Sequence, residues 1–213
     1  MPNRFHIPGR APRRERGTVL IVTLMFLIVL TLLGLSTMRG TTLEERMAGN
    51  SRDYNTALQA AEAALRDAEA DLKGTGTGGT PRTITVTSFP VALIGTATPS
   101  GCNTSGLCVI ANEYVQLYNT ASVDWSTSGA SSTAYGSYTG AATTNAAWLN
   151  GLSAKPRYVL ELMQFADGKN KDRVAGASGN VDYYYIRITA KGWGANSQTV
   201  VTLQEVFIIP LPT

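Results

Sequence analysis

Residues 13–38 read RRERGTVLIVTLMFLIVLTLLGLSTM, and between Gly17 and Thr18 a cationic cluster gives way to an apolar run. Thr18–Met38 is 21 residues without a charge, closed by Arg39. At about 1.5 Å per helical residue this run reaches roughly 30 Å, the hydrocarbon thickness of a bilayer. A cleaved secretory signal has a shorter apolar region, about 7–15 residues, followed by a small-residue site. Here the run ends in Leu35-Ser36-Thr37-Met38-Arg39, which offers no such site, so the segment is expected to stay as a transmembrane helix. Residues 1–17 carry five arginines against Glu15, a balance of +4. Basic flanks stay cytoplasmic, which places everything beyond residue 38 on the far side of the membrane.

The junction itself admits two readings. Gly17 and Thr18 serve as a flexible residue and an N-cap where a membrane helix begins. Alternatively, a short basic leader ending in glycine, directly before an uncharged helix, resembles the prepilin class III leader. That resemblance implies a cut between Gly17 and Thr18 by a membrane peptidase and methylation of the new Thr18 amine.

Residues 41–73, TTLEERMAGNSRDYNTALQAAEAALRDAEADLK, predict that the helix continues with a polar face. Met47, Tyr54, Ala61 and Ala68 recur every seventh position, with Leu58, Leu65 and Leu72 four after the last three, an apolar seam of coiled-coil spacing. Glu62 and Arg66 stand in the favourable i,i+4 order, and GTGTGGT at 74–80 before Pro81 predicts the stop.

The wording "RG/TVLIV", then "TTLEERMAGN" and "ALQAAEAALRDAEADL", resembles the PilX-type minor pilins of bacterial type IV pili. Further resemblance lies in "GLC", "YYYIRITAKGWG" and "TVVTLQEVF", while 119–150 carries none. The family implies an α+β, type IV pilin-like fold: a long N-terminal helix, transmembrane and then amphipathic, on a C-terminal antiparallel sheet. The implied organisation is a cleaved leader (1–17), a membrane helix (18–38), its continuation (39–73), a linker (74–80) and a periplasmic head (81–213). Also implied are a place at or near the pilus tip and a part in starting assembly. Partners would be the prepilin peptidase, other minor pilins, the major pilin, a large tip adhesin and the inner membrane. Major pilins carry glutamate as the fifth residue after the cut, whereas here that residue is Val22. An intramembrane carboxylate costs about 3 kcal/mol unless a partner charge offsets it. This subunit therefore presents an amine to a neighbour's glutamate and brings none of its own, which suits a terminal place in a fibre.

Beyond residue 80 the sequence is β-rich, with candidate strands 82–88, 108–118, 157–165, 181–191 and 199–209. Tyr184, Ile186 and Ile188 share one face, expected on the helix seam, and Tyr185, Arg187 and Thr189 the other, expected toward water or a neighbour. In the last strand Val201 and Leu203 have one parity, Val206 and Ile208 the other, and a bulge near Gln204-Glu205 is expected to reconcile them. Cys102 and Cys108 flank a Gly/Asn/Ser/Thr loop. No further soft ligands accompany them as in a zinc site, which leaves a disulfide ring or two free thiols, the ring being favoured in an oxidising compartment. The polar stretch 119–150 contains Trp125, Tyr135, Tyr138 and Trp148, which either pin the loop to the sheet or form a contact surface for a partner.

Several chemistries lack their residues. His6 is the only histidine and lies in the leader, which removes Ser/His/Asp and Cys/His nucleophile schemes from the rest. Residues 18–213 hold 13 basic and 14 acidic residues, a near-neutral balance without the footprint of a nucleic-acid binder. At 167–173, DGKNKDR lacks calcium-loop spacing and reads as a hairpin turn with solvated charges. The glycines at 74–79 lack the lysine of a phosphate loop, and no cofactor is expected. Enzyme, binding-module and structural readings thus reduce to a structural pilin, with a tip-exposed adhesin- or surface-binding module and a minor pseudopilin of type II secretion as alternatives.

Overall fold

The computed structural model describes residues 17–76, 78–90, 101–110, 114, 116–120, 123–126, 131–144, 146–163, 171–176 and 179–210. The chain forms two units, residues 1–49 and residues 50–213. Helix α1, Thr18–Leu72, supplies all the described structure of the first unit beyond Gly17 and the opening element of the second. Its end follows from the glycine run. Gly74 adopts φ +64, and the N–H groups of Gly74 and Thr75 donate back to the carbonyls of Asp71 (3.0 Å) and Ala70 (2.9 Å). This is the paired closure that a left-handed glycine permits at a helix C-terminus.

In the second unit the described strands are β1 (Gly101–Cys102), β2 (Leu107–Val109), β3 (Thr133–Ala134), β4 (Arg157–Leu162), β5 (Lys171–Gly176), β6 (Gly179–Trp193) and β7 (Val200–Pro210), in one sheet. Two short helices, α2 (Ala141–Thr144) and α3 (Ala146–Leu149), precede β4. The long β6 organises the sheet: β5 and β4 share one of its edges and β7 runs along the other. Every pairing is antiparallel except β2 with β4, which is parallel. The α+β, pilin-like architecture is therefore present, with a mixed sheet rather than a purely antiparallel one.

The inner face of the sheet meets α1 as the alternation in β6 predicts. Tyr158, Leu160 and Leu162 of β4 and Tyr184, Ile186, Ile188 and Ala190 of β6 form one buried cluster with Ala64, Ala68 and Leu72. The later part of the expected seam is in the core: Ala61, Ala68 and Leu72 are buried, and Leu58 and Leu65 pack against them partly buried. The fully buried helix residues are Ala57, Ala60, Ala61, Ala64 and Ala68, whereas Met47 and Tyr54 are exposed. Ala57 and Ala64, like Ala61 and Ala68, stand seven residues apart, and they pack the helix on the chain's own sheet. The approach is so close that β6 has room only for glycine at 192: a Cβ on Gly192 would stand 2.3 Å from Ala61 N and 2.4 Å from Ala57 O. The Glu62–Arg66 ion pair does not form among the described residues, where the helix pair that does is Glu69–Lys73 at 3.2 Å.

Four further expectations are corrected. Residues 82–88 are not a strand: Val86–Ser88 is a 3-10 turn. There the Thr85 N–H donates to Ser88 Oγ (3.1 Å), a local side-chain bond that competes with a ladder. Of the strand expected at 108–118, the described residues form a strand only at Leu107–Val109, residues 111–113 and 115 fall outside the described residues, and Leu117–Asn119 is another 3-10 turn closed by the Thr120 hydroxyl on Leu117 O (2.8 Å). Of the turn expected at 167–173, residues 171–173 lie in β5, whose pairing with β6 runs to Gly176↔Gly179; residues 167–170 fall outside the described residues. No bulge interrupts β7, since its register with β6 is continuous from Tyr183↔Pro210 to Trp193↔Val200. Val206 and Ile208 simply face outward, each 53% exposed.

Nor does the outer face of the sheet meet water throughout. Arg187 and Thr189 are buried, and a second cluster of Cys108, Ile110, Leu117, Val123, Val159 and Met163, with Cys102, Trp125 and Tyr185 at its margin, covers part of that face. Among the described residues, the neighbour there is the chain's own Cys102, Cys108, Ile110, Leu117, Val123 and Trp125.

Candidate processing site and assembly surfaces

Two regions hold the residues to which the sequence gives functional weight: the start of α1 and the segments flanking its end. At the start, Gly17 adopts φ +52 with open space around its α-carbon, and Thr18 is the first helical residue. The left-handed conformation, easy only for glycine, breaks the helix at this peptide bond and leaves it exposed on both sides. Residues Thr18–Ser36 form one helix long and apolar enough to cross a membrane, and none of it is buried within the chain. Two hydroxyls inside that stretch are satisfied locally, Thr23 donating to Leu20 O (3.0 Å) and Thr31 to Ile28 O (2.8 Å). In an apolar medium that return bond removes the cost of an unpaired hydroxyl. Val22 is half exposed among these apolar side chains.

At the other end of α1, two carboxylates on the alanine face tie the helix to the loops. Asp67 accepts the Gly136 N–H (2.7 Å) and a short bond from the Thr139 hydroxyl. Burial pushes the Asp67 carboxyl up from its usual range, and these two bonds oppose the rise. Asp71 accepts both Arg82 Nε (3.0 Å) and Nη2 (2.6 Å), and also the Tyr158 hydroxyl (2.8 Å). Arg82 additionally donates to Ser105 O (2.7 Å) and stacks 3.8 Å above the Tyr138 ring. The sequence reading missed both aspartates. Their signal was position, since 67 and 71 continue the buried alanine face where a free carboxylate would be costly.

Cys102 and Cys108 form a disulfide, directly opposite one another where β1 pairs with β2. Asn103 shapes the turn between them, its Oδ1 accepting the N–H groups of Ser105 (2.9 Å) and Leu107 (3.0 Å). The ring anchors the outer cluster above β4, beside a buried ion pair in which Arg187 Nε lies 2.5 Å from Glu161 Oε2. Burial pushes the Glu161 carboxyl up, outweighing Arg187 and Thr189, which act to lower it.

The four aromatics of 119–150 are not brought together into one surface. Trp125 is half buried on the outer cluster, donating to Tyr118 O (3.3 Å) beneath Lys191 Nζ, 4.8 Å from its ring centre. Tyr138 stacks on Arg82. Tyr135 and Trp148 meet edge to face at 5.7 Å and line an open groove of about 490 Å³ with Ala63, Arg66, Asp67 and Gly140. Each ring thus has an internal structural role, while Trp148 keeps part of its surface toward that groove.

Comparison with known families places these elements. The family described as PilX N-terminal matches residues 16–66, from the junction through most of α1. The family described as type IV pilus assembly protein PilX C-term matches residues 95–209, from the disulfide lobe through β7. No curated protein and no solved structure matches the chain.

Proposed function

The chain belongs to the PilX family of type IV pilus assembly proteins, which makes it a minor pilin, and we propose that it is a precursor cut after Gly17. The observation that carries this reading is a left-handed glycine immediately before a helix whose apolar side chains, from Val19 to Leu35, stand exposed. In this reading the prepilin peptidase removes residues 1–17 on the cytoplasmic side and Thr18 becomes the N-methylated terminus. Residues 18–38 span the inner membrane, with the head in the periplasm, an orientation that the +4 leader supports. The role is structural: the helix leaves the bilayer by exchanging lipid for the helices of other minor pilins and the major pilin.

Val22 supports a place at or near the tip and a part in starting the fibre. The charged Thr18 amine is offered to a glutamate of the adjoining subunit, while Val22 asks for no amine in return. Interior positions need both halves of that exchange; a terminal one needs only the first. The test maps the subunit along pili by immunolabelling, for the natural chain and for Val22→Glu. Tip-restricted label for the natural chain and label spread along the fibre for Val22→Glu are expected. Tip restriction of both would remove the argument.

A second reading, contact between the head and a large tip adhesin, is supported by the groove beside Tyr135 and Trp148, an open recess of ligand-binding size. Trp148→Ala should weaken that contact without altering processing.

A further inference from the structure

Among the described residues, strand β7 leaves one edge of the sheet without a partner. Its eleven residues pair with β6 along their whole length, and among the described residues they bond by their main chain to no other element apart from the Thr199–Gly194 turn bond that precedes them. Soluble proteins protect such an edge with short strands, bulges, prolines or lysines. None of these devices is present over VVTLQEVFII: the register is unbroken, Glu205 is the one charge, and proline enters only at 210. Val206 and Ile208 face outward and are 53% exposed each, where strand alternation would place polar residues. On the helix side, Glu205 lies near Glu69 and Lys73; burial and Glu69 push its carboxyl up, and Lys73 opposes them. These three charges sum to −1.

We propose that the free edge of β7 is a docking site for an extended segment of a different polypeptide, which adds to the sheet as a strand. Its apolar residues lie beside Val206 and Ile208, and a lysine or arginine on its helix-side face meets Glu205. The unpaired N–H and C=O groups select the occupant's conformation, because only an extended main chain satisfies a row of such groups, while alternate side chains set specificity. Charge selects against a second copy. Residues 200–210 contain no lysine or arginine, so β7 against β7 would bring a second Glu205 to the edge and no cation to offset the −1 balance of Glu69, Lys73 and Glu205. The inference concerns the head alone and does not depend on processing at Gly17.

The experiment uses the full chain in detergent micelles and a fluorescent ten-residue peptide alternating valine with threonine and lysine. A control peptide carries prolines at its two central positions. The alternating peptide should bind, and β7 amides should gain about tenfold protection from hydrogen exchange while β5 amides do not change. The proline peptide should not bind. The double variant Val206→Lys/Ile208→Lys, altered only at exposed positions, should bind at least about tenfold more weakly. Glu205→Lys should prefer a peptide with glutamate in place of lysine, which shows that a variant has folded and that its preference has reversed. Binding without β7 protection, equal binding by the double variant, or an unreversed preference in Glu205→Lys would each overturn the proposal. So would self-association of the chain that protects β7, which would make the occupant a second copy.

Discussion

Asp71 and Arg82 join the last turn of α1 to the segment that follows it by a two-point ion pair, with Nε–Oδ1 at 3.0 Å and Nη2–Oδ2 at 2.6 Å. The Asp71 side chain is fully buried and that of Arg82 is 15% exposed, so solvent screens the pair little. Removing one partner of such a pair leaves a buried charge unmatched, at a cost of about 3–5 kcal/mol. Arg82→Leu is therefore expected to lower head stability by that order, and Asp71→Asn/Arg82→Leu together by less than Arg82→Leu alone. Denaturant unfolding followed by near-ultraviolet circular dichroism measures both; equal losses would mean that the ion pair contributes nothing.

The closeness of α1 to β6 makes a second prediction. An added Cβ at Gly192 would lie 2.3 Å from Ala61 N, which is backbone and cannot swing aside. Gly192→Ala should cost about 1–3 kcal/mol through overpacking. Gly151→Ala, where the nearest atom would be Trp148 O at 3.5 Å, is the control and should be close to neutral. Similar melting temperatures for the two variants would contradict this packing.

Acidity should first stabilise the head and then weaken it. The carboxyls of Asp67, Glu161 and Glu205 are raised in the fold, each chiefly by burial. The folded state therefore holds protons that the unfolded chain releases, and stability rises as pH falls from about 7 through the raised folded-state range. Asp53 behaves oppositely. Its bond to Thr199, with the N–H groups of Ala195 and Asn196, holds it below the usual range, and Asp124 is held down by Ser126. Their contributions are present above the unfolded pKa, about 3.9, and are lost as pH falls through the folded value. A melting temperature that peaks in mild acid is expected, and Glu161→Gln should flatten the rise toward that peak. A melting temperature that only declines below pH 7 would contradict these directions.

Much of this fold is legible in the sequence because its signals are local and periodic. The uncharged run from Thr18, the glycine stop at Gly74 and the alternation of Tyr184, Ile186 and Ile188 each depend on neighbours within a few positions. What failed depended on distant partners. Val206 and Ile208 suggested a bulge because outward apolar residues look like an error of register, yet the register is continuous and their side chains are exposed. Arg187 and Thr189 alternate like solvent-facing residues but lie beneath the disulfide-bearing lobe, which no local pattern announces. Asp67 and Asp71 looked like the polar flank of an amphipathic helix; their partners Gly136, Thr139 and Arg82 lie across the fold. At the start of α1 the junction was legible since a glycine between cationic and apolar segments is itself a local pattern.

The account rests on the peptide bond between Gly17 and Thr18, and mass spectrometry of the chain's N-terminus tests it most directly. Protein isolated from membranes with an active prepilin peptidase is expected to begin at N-methylated Thr18, and protein from membranes lacking that enzyme to retain the basic leader. An N-terminus beyond Met38, or one that is the same with and without the peptidase, would contradict it.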